Sequence, residues 1–267
     1  MTGYFTVFML CTALVVFVWI FRKDSRSLCV LMYHHVGVAT REDEAAFFVS
    51  ADMFRQQIDL LLSSHFHIVS LREVERAYQT GQRLPPHSVL LTLDDGWLDN
   101  YTQAFPVVKE KKVPVTIFLS VALTGVEKDL LTWQQVHEMH ESGWVQFASH
   151  GAHHRRLRNL SDAEIIEELA ISRNVLTKAL GTEVLSFCYP YGAFDRRVRQ
   201  LVFQTGYIMD FGTRKGINRL PWKAHQPLRR AHVMAGESLS DFYRQLHTGY
   251  KRSIRCAGKY PDRLFSA

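Results

Sequence analysis

The residues able to do chemistry gather in three short stretches. Five of the 13 histidines lie at His34-His35 and at His150, His153 and His154, and two carboxylates emerge together from an apolar run at Asp94-Asp95-Gly96. Alone, Asp-Asp-Gly is an ordinary turn, because Asp caps nearby N–H groups and Gly accepts positive φ. The histidines change its weight. Two imidazoles four residues apart, His150 and His154, can meet one ion where the segment coils, and a carboxylate from elsewhere would complete a three-ligand site with one position open. His153 does not share that spacing and reads as a supporting or exposed residue.

These groups need a scaffold. Apolar runs at Leu28–Tyr33, His67–Val69, Val89–Leu93, Val115–Leu119, Val145–Ala148, Leu185–Cys188, Tyr207–Phe211 and Arg230–Val233 read as buried strands, most separated by helical patterns. That alternation implies an α/β fold with a parallel sheet. Capping boxes at Ser70/Glu73, Thr132/Gln135 and Ser161/Glu164 mark three helix starts. From Ser161 to Leu180, Ile165, Leu169, Leu176 and Leu180 share one helical face, with Glu164, Glu167, Glu168, Arg173 and Lys178 as polar cover. Seven or eight strand–helix units fit a (β/α) barrel better than an open sheet, and in a barrel catalytic groups sit at the C-terminal strand ends. Tyr33-His34-His35, Asp94-Asp95-Gly96, Ser149-His150 and Tyr189-Pro190-Tyr191-Gly192 all fall there. Four polar clusters on one rim make a site.

The motifs Thr92-Leu-Asp-Asp-Gly96, Ser149-His150-Gly-Ala-His-His154 with Leu157, and Phe187-Cys-Tyr-Pro-Tyr-Gly192 resemble, in order and spacing, those of the polysaccharide deacetylases, the NodB-homology carbohydrate esterases of family 4. Leu31-Met-Tyr-His-His-Val36 further resembles the branch acting on poly-N-acetylglucosamine. The resemblance spans about Leu28 to Val233. It implies a distorted (β/α)7-8 barrel and metal-dependent removal of N-acetyl groups from sugar chains. By the same resemblance Asp94 is the general base, and Asp95, His150 and His154 hold a divalent metal, Zn2+ first, with Co2+, Ni2+ or Fe2+ as alternatives. The backbone N–H of Tyr191, fixed by Pro190, would serve the oxyanion. His34 is the expected general acid, with His232 as competitor. Many relatives carry an Arg where this chain has Cys188, and Arg230 or Arg229 is the expected substitute, a guanidinium able to hold a carboxylate bidentately.

The ends of the chain carry a different signal. Tyr4 to Phe21 holds no Lys, Arg, Asp or Glu and as a helix would span roughly 27 Å, enough to cross a bilayer. No cleavage pattern follows, so an uncleaved transmembrane anchor is expected over residues 1–26, the deacetylase domain over 27–247 and a basic tail over 248–267. Arg22, Lys23 and Arg26 after the run favour a cytoplasmic domain by the positive-inside rule, whereas the family resemblance favours an extracytoplasmic one, which is adopted. Four cysteines without a CxxC pair support neither a disulfide framework nor a cysteine zinc site. The net charge of +6 suits an anionic surface, but no reading motif accompanies it and nucleic acid is not an expected partner. The expected substrate is an N-acetylhexosamine glycan of the cell envelope or an exopolysaccharide. Alternatives are a lipid-linked or lipopolysaccharide sugar, and an inactive glycan-binding scaffold.

Overall fold

The computed structural model describes residues 27–39, 42–219 and 226–250. The expected anchor at 1–26 and the basic tail beyond Tyr250 lie outside them, and no helix among the described residues is long and apolar enough to cross a membrane. In chain order the first half comprises β1 (Ser27–Tyr33), β2 (His35–Val36), β3 (Phe48–Val49), α1 (Ala51–Ser63), β4 (His67–Ile68), α2 (Leu71–Thr80), β5 (Ser88–Asp95) and α3 (Phe105–Lys111). The second half comprises β6 (Val115–Leu119), α4 (Trp133–Glu141), β7 (Val145–Ser149), α5 (Asp162–Leu180), β8 (Ser186–Cys188), α6 (Arg196–Gln204), β9 (Met209–Phe211), β10 (Asn218–Arg219), β11 (Ala231–His232) and α7 (Leu239–Thr248).

Strands β1 and β5 are unbroken apolar runs rather than alternating ones, and both are buried along nearly their whole length, as expected where a parallel sheet is covered on both faces. They pair in parallel from Leu28↔Ser88 to Tyr33↔Leu93. The sheet then runs β5-β6-β7-β8-β9, all parallel, and curls until its two margins approach. Leu228 bridges Phe211 of β9, while Ala231 and His232 pair with Leu31 and Met32 of β1. A short segment thus links the margins near the C-terminal strand ends. This is the α/β architecture expected, but not a ring of equal units: β4 and β6 share one edge of β5, β4 meeting Ser88 and Val89 and β6 starting from Thr92. β10 runs antiparallel to the start of β1, and β2 with β3 forms a separate pair.

All three capping boxes are formed, at Ser70/Glu73, Thr132/Gln135 and Ser161/Glu164. Each satisfies otherwise orphaned N–H groups and contributes roughly 1 kcal/mol. Helix α5 buries Ile165, Leu169, Leu176 and Leu180. Glu168 corrects the expectation of polar cover, since it is only 3% exposed. It points inward for a reason given by the site.

Candidate active site

The sheet register brings the acid and the histidines together. Asp95 pairs with Leu119 and Leu119 with Ser149, so Asp95 and His150 leave neighbouring strand ends on the same rim. Ser149 also pairs with Phe187, which sets the Cys188 carbonyl beside His150. At Asp95 the chain turns sharply through φ 76°, and Gly96 follows at φ 81°. A Cβ on Gly96 would collide with the Leu119 side chain, so the glycine of the motif is required by close packing as well as by φ. Asp95, His154 (φ 54°) and Tyr191 (φ 59°) all adopt left-handed backbone. Non-glycine residues held there cluster at functional sites, where surrounding structure over-determines them.

The Nε2 atoms of His154 and His150 lie 3.0 and 3.3 Å from the same oxygen, Asp95 Oδ1. The other Asp95 oxygen accepts from Trp97 Nε1 at 3.1 Å. His150 Nδ1 is 2.8 Å from the Cys188 carbonyl, which can only accept, so Nδ1 carries the proton. That leaves the Nε2 lone pair of neutral His150 aimed at a carboxylate oxygen, an arrangement that needs a cation or a proton between them. The donor set, two imidazoles and one carboxylate in a buried pocket, fits a divalent metal with an open position. Burial opposes ionisation of Asp95, but His154 and His150 outweigh it and hold the carboxyl well below its ordinary range. Asp94, His150 and Cys188 also lie within ligand reach of one another. That set is the poorer one: burial pushes the Cys188 thiol up and keeps it protonated, and Arg230 occupies both Asp94 oxygens.

Glu168 explains its inward orientation here. Its Oε2 accepts from the backbone N–H groups of Ala152 (3.0 Å) and His153 (2.9 Å), and its Oε1 lies 2.7 Å from His153 Nδ1. The half-exposed His153 ring therefore helps fix the turn that carries its neighbours and does not join the Asp95 cluster. Sequence spacing had no signal for Glu168, because its partners lie across a loop from its helix.

Asp94 is clamped by Arg230, not by Arg229. Arg230 Nη1 and Nη2 donate to Asp94 Oδ1 and Oδ2 at 2.6 and 2.7 Å. Its remaining N–H groups reach the Gly212 carbonyl (2.8 Å), Thr92 Oγ1 (3.4 Å) and Cys188 Sγ (3.1 Å), so all five donors of a fully buried guanidinium have acceptors. Burial alone would raise the Asp94 pKa; the charge and hydrogen bonds of Arg230 reverse that and lower it. Arg229 instead donates to Gln226.

His34 is buried, and its pKa is lowered by that burial, with Asp95 and Asp94 pulling the other way. His232 lies 2.7 Å through Nε2 from the Thr213 carbonyl, and burial takes its pKa down to about 4. A neutral His232 thus commits its one N–H to a backbone carbonyl. Pro190 is buried and precedes Tyr191, whose ring lies 4.6 Å from that of His154, with the Arg156 guanidinium 3.9 Å over it.

Residues 81–209 match the polysaccharide deacetylase family. The Bacillus subtilis protein named "Putative polysaccharide deacetylase YxkH" is 26% identical over 224 residues, covering 84% of this chain and 77% of its own. A poly-β-1,6-N-acetyl-D-glucosamine N-deacetylase of Staphylococcus aureus is 28% identical over 197 residues, 65% of this chain and 68% of its own. Among solved structures, the Streptococcus pyogenes deacetylase PplD, in complex with acetate, superposes with a TM-score of 0.76 at 26% identity, covering 82% of this chain and 98% of that one. IcaB from Ammonifex degensii gives 0.67 at 25% identity, over 83% and 96%. The motif order, the curled sheet and the matched segment converge, and residues 81–209 carry a polysaccharide deacetylase domain.

Proposed function

We propose that this protein is a metal-dependent deacetylase that hydrolyses the N-acetyl groups of hexosamine residues in a cell-envelope or exopolysaccharide glycan, poly-N-acetylglucosamine being the first substrate to test. The observation that carries this reading is the meeting of Asp95, His150 and His154 at one carboxylate oxygen beside an Arg-clamped Asp94. A divalent ion held by Asp95, His150 and His154, zinc before cobalt, nickel or iron(II), would supply Lewis acidity toward the acetamide carbonyl and the attacking water.

The chain's own residues do the rest. Asp94, kept ionised and oriented by Arg230, takes the proton from water as its oxygen bonds to the acetamide carbon. The Tyr191 backbone N–H, presented on a left-handed residue after Pro190, stabilises the negative charge on the carbonyl oxygen. The C–N bond then breaks, acetate leaves, and His34 passes a proton to the departing amine. His34 is neutral at rest; as negative charge develops beside it, it takes up a proton from solvent, which it hands to the amine, and Asp94 returns the proton taken from water to solvent. His232 is the weaker candidate, because its N–H faces Thr213.

The product amines are cationic, so the reaction changes the charge of the polymer. The apolar run Tyr4 to Phe21 supports a single-pass anchor; the catalytic domain is set on the extracytoplasmic side, where the proposed glycan substrate lies, against the cytoplasmic bias of Arg22, Lys23 and Arg26. C-terminal alkaline-phosphatase and fluorescent-protein fusions test this placement; an inactive phosphatase with bright fluorescence would reverse it. The function is tested by acetate release from N-acetylglucosamine oligosaccharides by the zinc-loaded protein. Release abolished by chelator and restored by metal is expected. Glycan binding without any acetate release would make the chain an inactive scaffold, and release from glycolipids alone would move the substrate to a lipid-linked sugar.

A further inference from the structure

The turn after Asp95 carries a second set of polar groups that the proposed chemistry does not use. Asp99 Oδ2 lies 2.6 Å from His35 Nδ1, and Asp99 Oδ1 accepts from the Val36 N–H at 3.3 Å and from Asn100 Nδ2 at 2.9 Å. Asn100 Nδ2 also donates to the His34 carbonyl at 2.9 Å. The His35 ring, only 5% exposed, is stacked on Phe48 at 4.0 Å and lies 4.2 Å from Trp97. Trp97 in turn donates Nε1–H to Asp95. One carboxylate therefore touches two chains of contact, one ending on the proposed metal ligand Asp95 and the other on the backbone of the proposed acid His34.

We infer that Asp99 and His35 form a positioning pair that sets the spacing between the metal side of the site and His34. Neither residue touches the Asp95–His150–His154 cluster directly, so both act through others: His35 through the face of Trp97, Asp99 through Asn100. The need for such a pair follows from topology. β1 and β5 pair up to Tyr33↔Leu93, and β5 continues to Asp95 beside β6, so His34 and the turn at 96–100 both lie past the end of the β1–β5 register. The Asp99 carboxylate, with three short contacts to the far segment and its own neighbour, supplies the tie. Outer groups of this kind orient first ligands and typically change metal affinity or activity by about 10–100-fold when removed.

The inference rests on the deacetylase reading, and its test separates the two. Zinc binding by isothermal titration and acetate-release kinetics are measured on the full chain for wild type, Asp99→Asn, His35→Asn and His35→Phe. Asn at position 35 keeps a donor toward Asp99 but removes the ring from Trp97; Phe keeps the ring and removes the donor. The expected result is folded variants with one bound zinc, zinc affinity reduced about tenfold in His35→Asn, and kcat reduced about 10–100-fold with KM little changed in Asp99→Asn and His35→Phe. Asp99→Asn combined with His35→Phe should cost no more than the worse single change, since both break one contact. If Asp99→Asn does not fold, His35→Phe and His35→Asn decide alone. Wild-type zinc affinity and kcat in both His35 variants would overturn the inference, whereas a wild-type protein that binds zinc but releases no acetate would overturn the deacetylase reading and leave the zinc-affinity arm to judge this one.

Discussion

Replacing Arg230 by Met probes the physical link between fold and chemistry. The guanidinium is fully buried, and its bidentate bonds to Asp94 at 2.6 and 2.7 Å are the counter-charge of a carboxylate only 1% exposed. Met fills similar volume but leaves Asp94 buried without its bidentate partner, and removing one partner of such a pair costs roughly 3–5 kcal/mol. For a domain of this size, at about 2–4 °C per kcal/mol, the melting temperature should fall by roughly 6–20 °C. The pH dependence carries a sign. In the wild type Asp94 has a lowered pKa, so its contribution to stability is present above the ordinary carboxylate pKa and lost as pH falls through the folded value. In Arg230→Met burial acts unopposed by that cation and raises the pKa. The folded state then favours the protonated acid, and the contribution is present below the ordinary pKa and lost as pH rises. The gap between wild type and variant should therefore be widest at neutral pH and shrink toward pH about 4. Adding Asp94→Asn to Arg230→Met should recover part of the loss by removing the buried charge. Denaturant and thermal unfolding between pH 4 and 8, in chelator so that an ion's field does not enter, read this directly. Equal midpoints for wild type and Arg230→Met across that range would refute the reasoning.

Other perturbations have separate signatures. Asp94→Asn should retain zinc by metal analysis and lose about 10²–10⁴-fold in kcat, as removal of a general base does; retained turnover would assign the base elsewhere. Glu168→Ala removes three contacts that hold the turn of Ala152 and His153, so zinc affinity by titration should fall about 10–100-fold, with the ligands themselves untouched. At Gly192, φ is 63° and a Cβ would collide with Thr213; Gly192→Ala should destabilise by about 1–3 kcal/mol in denaturant unfolding. His232→Asn should leave turnover within about threefold, whereas His34→Asn should lower it by about 10²-fold or more, a contrast that steady-state kinetics on one substrate will show.

Much of the scaffold was legible because it rests on local patterns. The apolar runs gave β1, β4 to β9 and β11 of the main sheet, the capping boxes gave three helix starts, and both signals depend only on neighbours in sequence. The short strands β2, β3 and β10 were not visible, since two residues carry no periodicity and their pairing is decided by the fold. Likewise the joining of the sheet margins through Leu228 and Ala231-His232 is a long-range event with no local mark. At the site, the pattern Asp-Asp-Gly with His150 and His154 was readable as chemistry because each residue type is rare on an apolar strand end. The partners that hold them were not. Arg230 and Arg229 are indistinguishable in sequence, and only the pairing of β11 with β1, which sets the preceding Arg230 within reach of Asp94 on β5, decides which faces that carboxylate. Glu168 looked like solvent-facing cover because its helix face was judged from charge, while its actual position is fixed by the backbone N–H groups of a loop.

The central claim is that Asp95, His150 and His154 close on a single divalent ion. Metal analysis of purified wild type beside His150→Ala tests it most directly. Near-stoichiometric zinc or a similar divalent ion in the wild type, lost in the variant while its fold by circular dichroism is kept, is the predicted result. Metal retained at full occupancy in folded His150→Ala, or a wild type that takes up no divalent ion when zinc is supplied, would contradict the account.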